Sequence, residues 1–201
     1  MEATLGGDAM QDQAIALEVI EGLDQLGVPY MVVGSLSSNV HGIPRATHDA
    51  DFVLQLGQTS FATVLRHLEP RFQSDRQLRF EGVTGTKRHI LSLNETDFKV
   101  ELFALTDDAF DQSRFARRCR RQFLGRDVYL QSAEDVIVQK LRWLERADRP
   151  KDREDIASVV GVRQNSLDWE YIHHWCDQHG TRALLDEIRK TIPPMPSLVS
   201  E

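Results

Sequence analysis

The sequence predicts an α+β fold: a mixed sheet flanked by helices, followed by a small C-terminal helical part. Three observations carry that reading. Short apolar or alternating runs at 30–33, 49–56, 78–80, 89–93 and 98–103 have strand length and are punctuated by Gly, Pro and Asn. Apolar residues at helical spacing open the chain, and from residue 132 onward every patterned segment is helical and carries a start or stop signal. The length of 201 residues suits one domain, or one with a small appendage, with enough interior to stand without disulfides or structural metal.

Taken in order, residues 11–27 place Ile15, Leu17, Val19, Ile20, Leu23 and Leu26 on one helical stripe, which Gly27 closes. Residues 30–33 form a continuous apolar run, a buried strand broken by Gly34 and Ser35. Leu36 and Val40 lie four apart on a short helix that Gly42 and Pro44 stop, and 49–56 resume an extended pattern. A helix over 59–69 precedes strands at 78–80, 89–93 and 98–103, separated by Gly82, Gly85 and Asn94, so the sheet is mixed or antiparallel. Ser132 with Asp135 makes a capping-box-like start for a helix to about Glu145. Pro150 opens another to about Val160, Asp168 a third to about Gln178, and Thr181 caps a last one ending before Pro193. The expected division is a core over 1–131, a helical part over 132–192 and an extended, mobile tail over 193–201.

Composition limits the function classes. With 24 Lys and Arg against 31 Asp and Glu the formal charge is −7, which disfavours non-specific adhesion to nucleic acid but leaves room for a local basic face. RFARRCRRQFLGR is such an island, with Arg114, Arg117, Arg118, Arg120, Arg121 and Arg126; it would face an acceptor nucleic acid, face a triphosphate, or form ordinary ion pairs. Cys119 and Cys176 have neither metal-ligand nor disulfide-framework spacing, which fits a reducing compartment, and no apolar run approaches the roughly 20 residues of a membrane span. A cytoplasmic protein is expected.

The chemistry concentrates in YMVVGSLSSNVHGIPRATHDADFVL. Asp49 and Asp51 sit two apart in a strand, so both carboxylates share one face while Ala50, Phe52 and Leu54 point to the other. Two like charges so close call for a divalent cation, and Mg²⁺ is commonly held by one or two carboxylates plus substrate phosphates and water. DFKVELF offers a third carboxylate: Asp97, Lys99 and Glu101 share a face, and Glu101 projects from the better anchored part. As a surface residue Glu101 would instead pair with Lys99 or an arginine elsewhere. Gly34 and Ser35 at a strand-to-helix turn would let backbone N–H groups approach phosphate at a helix N-terminus. His41 and His48 flank the loop as capping or solvent-facing residues. Asp152, Glu154 and Asp155 offset a helix dipole, and Trp143, Trp169 and Trp175 are core aromatics of the helical part.

Gly34-Ser35, His41-Gly-Ile-Pro-Arg-Ala-Thr47 and Asp49-Ala-Asp51 together resemble the minimal nucleotidyltransferases of the DNA polymerase beta superfamily, most closely the AbiEii-type abortive-infection toxins. The likeness runs on through VELF and SAEDVIVQKL to KDREDI and fades after residue 160. It implies a nucleotidyltransferase-like sheet and transfer of a nucleoside monophosphate from a nucleoside triphosphate such as ATP to a hydroxyl of RNA, protein or a small molecule. By position it implies that Gly34 and Ser35 hold the triphosphate, that Asp49, Asp51 and Glu101 hold two Mg²⁺ ions with bound nucleotide, and that Lys140 meets phosphate oxygens. It also implies a place in a toxin–antitoxin or phage-defence system, with an antitoxin as partner; were RNA the acceptor, the basic island of Arg114, Arg117, Arg118, Arg120 and Arg121 would be its expected contact. One departure is that the family more often has Asp where this chain has Glu101. Two rival readings are a metal-dependent nuclease using Asp97 and Lys99, which leaves Gly34-Ser35 and the Asp pair unexplained, and a non-catalytic nucleotide- or partner-binding module of the same fold.

Overall fold

A computed structural model describes residues 4–69, 71–74, 79–80, 86–94, 96–123, 125–147 and 149–193. The chain forms two compact units, one of residues 1–37 and 45–132, the other of residues 38–44 and 133–201.

The first unit holds helix α1 (Thr4–Gln25), strand β1 (Tyr30–Val33), the start of helix α2 (Gly34–His41), strand β2 (Asp49–Leu54), helix α3 (Phe61–Leu68), strands β3 (Gln73–Ser74), β4 (Arg79–Phe80), β5 (Lys87–Leu93) and β6 (Thr96–Ala104), helix α4 (Ala109–Ala116), and the hairpin β7 (Cys119–Phe123) and β8 (Arg126–Leu130). The sheet runs β3-β5-β6-β2-β1-β8-β7, with β4 also on β5. It is mixed: β2 pairs β6 and β1 pairs β8 in parallel, while the other pairings are antiparallel. Tail residues from 194 on, Gly82, Gly85 and residue 78 lie outside the described residues.

Alternation along the central strands separates two faces. Tyr30, Val32, Ala50, Phe52, Leu54, Phe98, Val100 and Leu102 are buried on one, where Tyr30 meets Phe52 edge-on. Burial, then the Asp24 carboxylate, pushes the Tyr30 phenol up to about 12. α3 lies on this face, its Phe61 ring 4.5 Å from that of His89, and its hydroxyl-capped N-terminus at Ser60 confirms the expected start. On the other face Met31, Val33, Val53 and Phe115 form a cluster flanked by Phe103 and Leu105. Phe115 comes from α4, a helix that sequence patterning did not predict; Asp108 caps it by accepting from the Asp111 N–H.

The second unit holds α5 (Ala133–Leu144), α6 (Pro150–Arg163), α7 (Trp169–His179) and α8 (Arg182–Lys190), close to the expected starts. Ile137, Leu141, Ile156, Val159, Ile172, Leu185 and Ile188 are fully buried. Asp168 caps α7 and Gly180 ends it in the left-handed conformation, φ 71°. Thr181 occupies the cap position of α8 but its side chain makes no capping hydrogen bond, which corrects the expected role. The end of α2 belongs to this unit because α6 grips it. Arg163 donates to the carbonyls of His41 and Val40 at 3.1 and 3.4 Å, and the Ser158 hydroxyl accepts from the Ile43 N–H at 2.6 Å. Gly42 stands there for close approach, since a Cβ would lie 2.6 Å from Ser158 Oγ.

Lys140, 3% exposed, places its ammonium between Asp152 at 2.6 Å and Asp155 at 2.8 Å. No helix among the described residues is long and apolar enough to cross a membrane.

Removing Lys140 would take away the buried cation that Asp152 and Asp155 share, leaving Asp152 with Arg149 at 2.9 Å. Lys140→Met is expected to lower stability by about 3–5 kcal/mol in urea unfolding; a loss under about 1 kcal/mol would mean that the network does not hold α5 to α6. A second expectation concerns pH. Burial lowers the His89 imidazole below its ordinary 6.5, so folding favours its neutral form. The stability this gives is present above about pH 6.5 and is lost as pH falls through that value toward the folded pKa. His173 is lowered likewise, by burial and then by Arg182 and Arg189. The melting temperature should therefore drop between about pH 7 and pH 5, and His89→Phe should show a smaller drop in the same scan.

Candidate active site

The turn from β1 into α2 is built around a single close approach. Val33 is the register partner of Asp51, so the next residue, Gly34, meets the Asp51 carboxylate. Gly34 has φ 64°, and a Cβ there would sit 2.0 Å from Asp51 Oδ2. Glycine is required twice over, for the backbone conformation and for the space. The first turn of α2 is anchored from below by Ser37, whose buried hydroxyl donates to the Gln131 carbonyl at 3.3 Å, just after β8. Ser35 Oγ accepts from Arg45 Nη2 at 3.0 Å, so the loop before β2 reaches back to the glycine turn.

β2 carries Asp49 and Asp51 on the same face, about 7 Å apart by strand rise. Asp49 is exposed and its Oδ1 accepts from the Thr47 hydroxyl at 2.6 Å; Asp51 is partly buried. β2 and β6 run parallel in unbroken register, with Asp49 beside Lys99 and Asp51 beside Glu101. Paired residues of neighbouring strands project from the same side of a sheet. The three expected carboxylates and the glycine turn thus occupy one face of one sheet. Glu101 is one-fifth exposed, and its Oε2 accepts from Arg88 Nη1 at 2.7 Å. Among the described residues no three His, Cys, Asp or Glu side chains stand grouped closely enough to hold a metal ion.

The donor set nevertheless suits Mg²⁺: its members are hard carboxylate oxygens, two of them on a rigid central strand, with the Asp51 carboxylate seated where a Cβ on residue 34 would otherwise lie. Asp49 and Asp51 would hold the ion, with Glu101 next to them.

The remaining expected residues fall elsewhere. Lys140 belongs to the second unit, with its ammonium on two aspartates. Asp97 and Lys99 are exposed on the same face of β6 as Glu101, and the Lys99 N–H donates to the His48 carbonyl at 3.0 Å. His41 is buried and His48 exposed. The arginine island is not one continuous surface. Arg114 is buried on α4 and paired with Asp111 at 2.9 Å, so it offers nothing to a nucleic acid. Arg118 lies over the rings of Phe115 and Tyr129, Arg120 pairs with Asp127, and Arg126 pairs with Asp24. Arg117 and Arg121 are exposed.

Arg88 is the residue that sequence reasoning missed. It lies on β5, two residues from Ile90, the partner of Glu101. Its signal was the hairpin itself: pairing the RHILSL and DFKVELF strands about the Asn94 turn sets Arg88 diagonally across from Glu101.

No protein-family model matches the chain, and no curated protein matches it. Solved structures do. The solution structure of the antibiotic-resistance factor ANT(2'')-Ia is 14% identical with a TM-score of 0.60, over 89% of this chain and 96% of that one. ANT(2'')-Ia in complex with adenylyl-2''-tobramycin is 13% identical with a TM-score of 0.60, over 86% and 99%. An antigenic nucleotidyltransferase-like protein from Paracoccidioides brasiliensis is 17% identical with a TM-score of 0.58, over 90% and 93%. The chain has the nucleotidyltransferase fold.

Gly34→Ala should strain the backbone and push Asp51 out of place. A stability loss of about 2 kcal/mol or more is expected in chemical denaturation, since a non-glycine residue at positive φ alone costs about 1 kcal/mol. A variant as stable as wild type would show that Asp51 is not confined there.

Proposed function

We propose that this protein is a Mg²⁺-dependent nucleotidyltransferase that moves a nucleoside monophosphate from a nucleoside triphosphate to an acceptor hydroxyl. The observation that carries the proposal is the seating of Asp51 against Gly34, in register with Glu101 on the neighbouring parallel strand. The nucleotidyltransferase fold supports it.

In the proposed reaction the acceptor oxygen bonds to the α-phosphorus, the bond from that phosphorus to the bridging oxygen of the β-phosphate breaks, and pyrophosphate leaves with the electron pair. The hydroxyl proton passes to solvent. The α2 N-terminus at the Gly34 turn would face phosphate, and Ser35 and Arg45, already hydrogen-bonded, supply a hydroxyl and a guanidinium at that turn. Thr47 fixes the Asp49 carboxylate. Mg²⁺, when bound by Asp49, Asp51 and Glu101, would neutralise the triphosphate and lower the pKa of the attacking hydroxyl. Lys140, expected to contact phosphate, serves in this proposal as the cation that holds α5 to α6, because two aspartates already share it.

For the acceptor, a small-molecule hydroxyl is the first to test, given the neighbour bound to adenylyl-2''-tobramycin. RNA is the second, with Arg117 and Arg121 as its exposed contacts. A toxin role with an antitoxin partner would follow from an RNA or protein acceptor. The nuclease reading rests on Asp97 and Lys99 alone and gives Gly34 no task.

With Mg²⁺ and α-labelled nucleoside triphosphates, wild-type protein should label tobramycin or a component of a cell extract, and Asp51→Asn should lower the rate by about 10³-fold or more. Mg²⁺ with triphosphate at about 100 times Kd should also stabilise the wild type by about 2.7 kcal/mol, and an Asp49→Asn, Asp51→Asn double variant should show no such shift. Nucleic acid cleavage without triphosphate, in place of labelling, would favour the nuclease.

A further inference from the structure

We propose that Arg88 is a positioning residue that competes with a divalent cation for Glu101, holding the third carboxylate apart from the Asp49 and Asp51 pair until the cation displaces it. The inference deepens the transferase reading above and rests on it.

Register brings Glu101 beside Asp51, yet the three carboxylates do not stand as a metal-holding group. What occupies Glu101 instead is a cation: Arg88 Nη1 donates to Glu101 Oε2 at 2.7 Å, with side-chain exposures of 27% and 19%. Arg88 reaches it along the diagonal of the β5–β6 ladder, since Ile90 stands directly opposite Glu101 and Arg88 lies two residues further along the same face. Diagonal neighbours on one face lie about 7–8 Å apart, within reach of long side chains only. The extra methylene that distinguishes Glu101 from an aspartate helps span that gap.

The guanidinium is also incompletely satisfied where it lies. Arg88 Nε is buried and has no hydrogen-bond partner among the described residues, and Glu101 holds the group through one terminal nitrogen. A guanidinium held to a carboxylate through one terminal nitrogen is an exchangeable counter-charge. Arg88 neutralises Glu101 while no cation does, and a cation binding there must first open the ion pair. The affinity of the site for a free divalent ion is therefore set below what the carboxylates alone would give. A triphosphate, with its own oxygens for the metal and negative charge for Arg88, would offset that opening.

The test is Mn²⁺ affinity without nucleotide, read from the electron paramagnetic resonance signal of free Mn²⁺, so it needs no turnover. Arg88→Gln should bind Mn²⁺ about fivefold tighter than wild type, the factor that a partly exposed ion pair is worth. Glu101→Asp, which keeps a carboxylate but draws it back from Arg88, should tighten in the same direction and carries the test should Arg88→Gln not fold. In a Glu101→Gln background, Arg88→Gln should change nothing. Unchanged or weaker binding in Arg88→Gln, or in Glu101→Asp where Arg88→Gln does not fold, overturns the inference, as does tightening that persists without the Glu101 carboxylate. Asp51→Asn separates the two levels: if it weakens Mn²⁺ binding while Arg88→Gln has no effect, the inference alone falls, and if it leaves Mn²⁺ binding intact, the transferase reading falls with it.

Discussion

The site depends on a carboxylate resting where a side chain would otherwise be. Asp51 can occupy its position only because residue 34 has no Cβ, and Gly34 can turn the chain there only because it tolerates positive φ. That one approach couples the end of β1, the start of α2 and the middle of β2. Everything else that marks the face is placed relative to it: Asp49 by strand period from Asp51, Glu101 by the parallel register with β6, and Ser35 by the first step of α2.

A face that carries Asp49, Asp51 and Glu101 together would repel itself, and the structure shows how the repulsion is met locally. Thr47 caps Asp49, Lys99 is the register partner of Asp49, and Arg88 pairs with Glu101. The opposite face of the same strands is wholly apolar, with Ala50, Phe52, Val100 and Leu102 fully buried. Hydrophobic burial on that side, about 1.5–3 kcal/mol for a large side chain such as Phe52, holds the polar residues in place from behind. The second unit repeats the same economy of charge in its interior, where Lys140 neutralises Asp152 and Asp155. A lysine there without its acids would leave a buried charge unpaired.

Much of this was legible from residue order. β1, β2, β5, β6 and the four C-terminal helices follow from apolar period, Pro and Asx caps, because those signals are local. α4 escaped because an eight-residue helix with two aromatics on its buried side has too short a pattern, and its Asp108 cap is an ordinary loop residue until the helix exists. Gly42 read as a helix stop, yet its reason is the approach of Ser158, more than a hundred residues away in the chain. Arg114 read as one of a surface island and is buried, because helical geometry turns it toward Asp111.

Sequence by itself determined that Asp49 and Asp51 share a face, that a glycine turn precedes them, and that Glu101 lies on a similarly alternating strand, since period and turn chemistry act within a few residues. Tertiary structure decided what those residues meet. Strand register is a long-range choice, and only the β2–β6 pairing sets Glu101 beside Asp51, while only the β5–β6 hairpin puts Arg88 upon it. The partners of Lys140 were likewise fixed by packing of α5 against α6, because a helical lysine looks the same in sequence whether it faces water or two buried carboxylates.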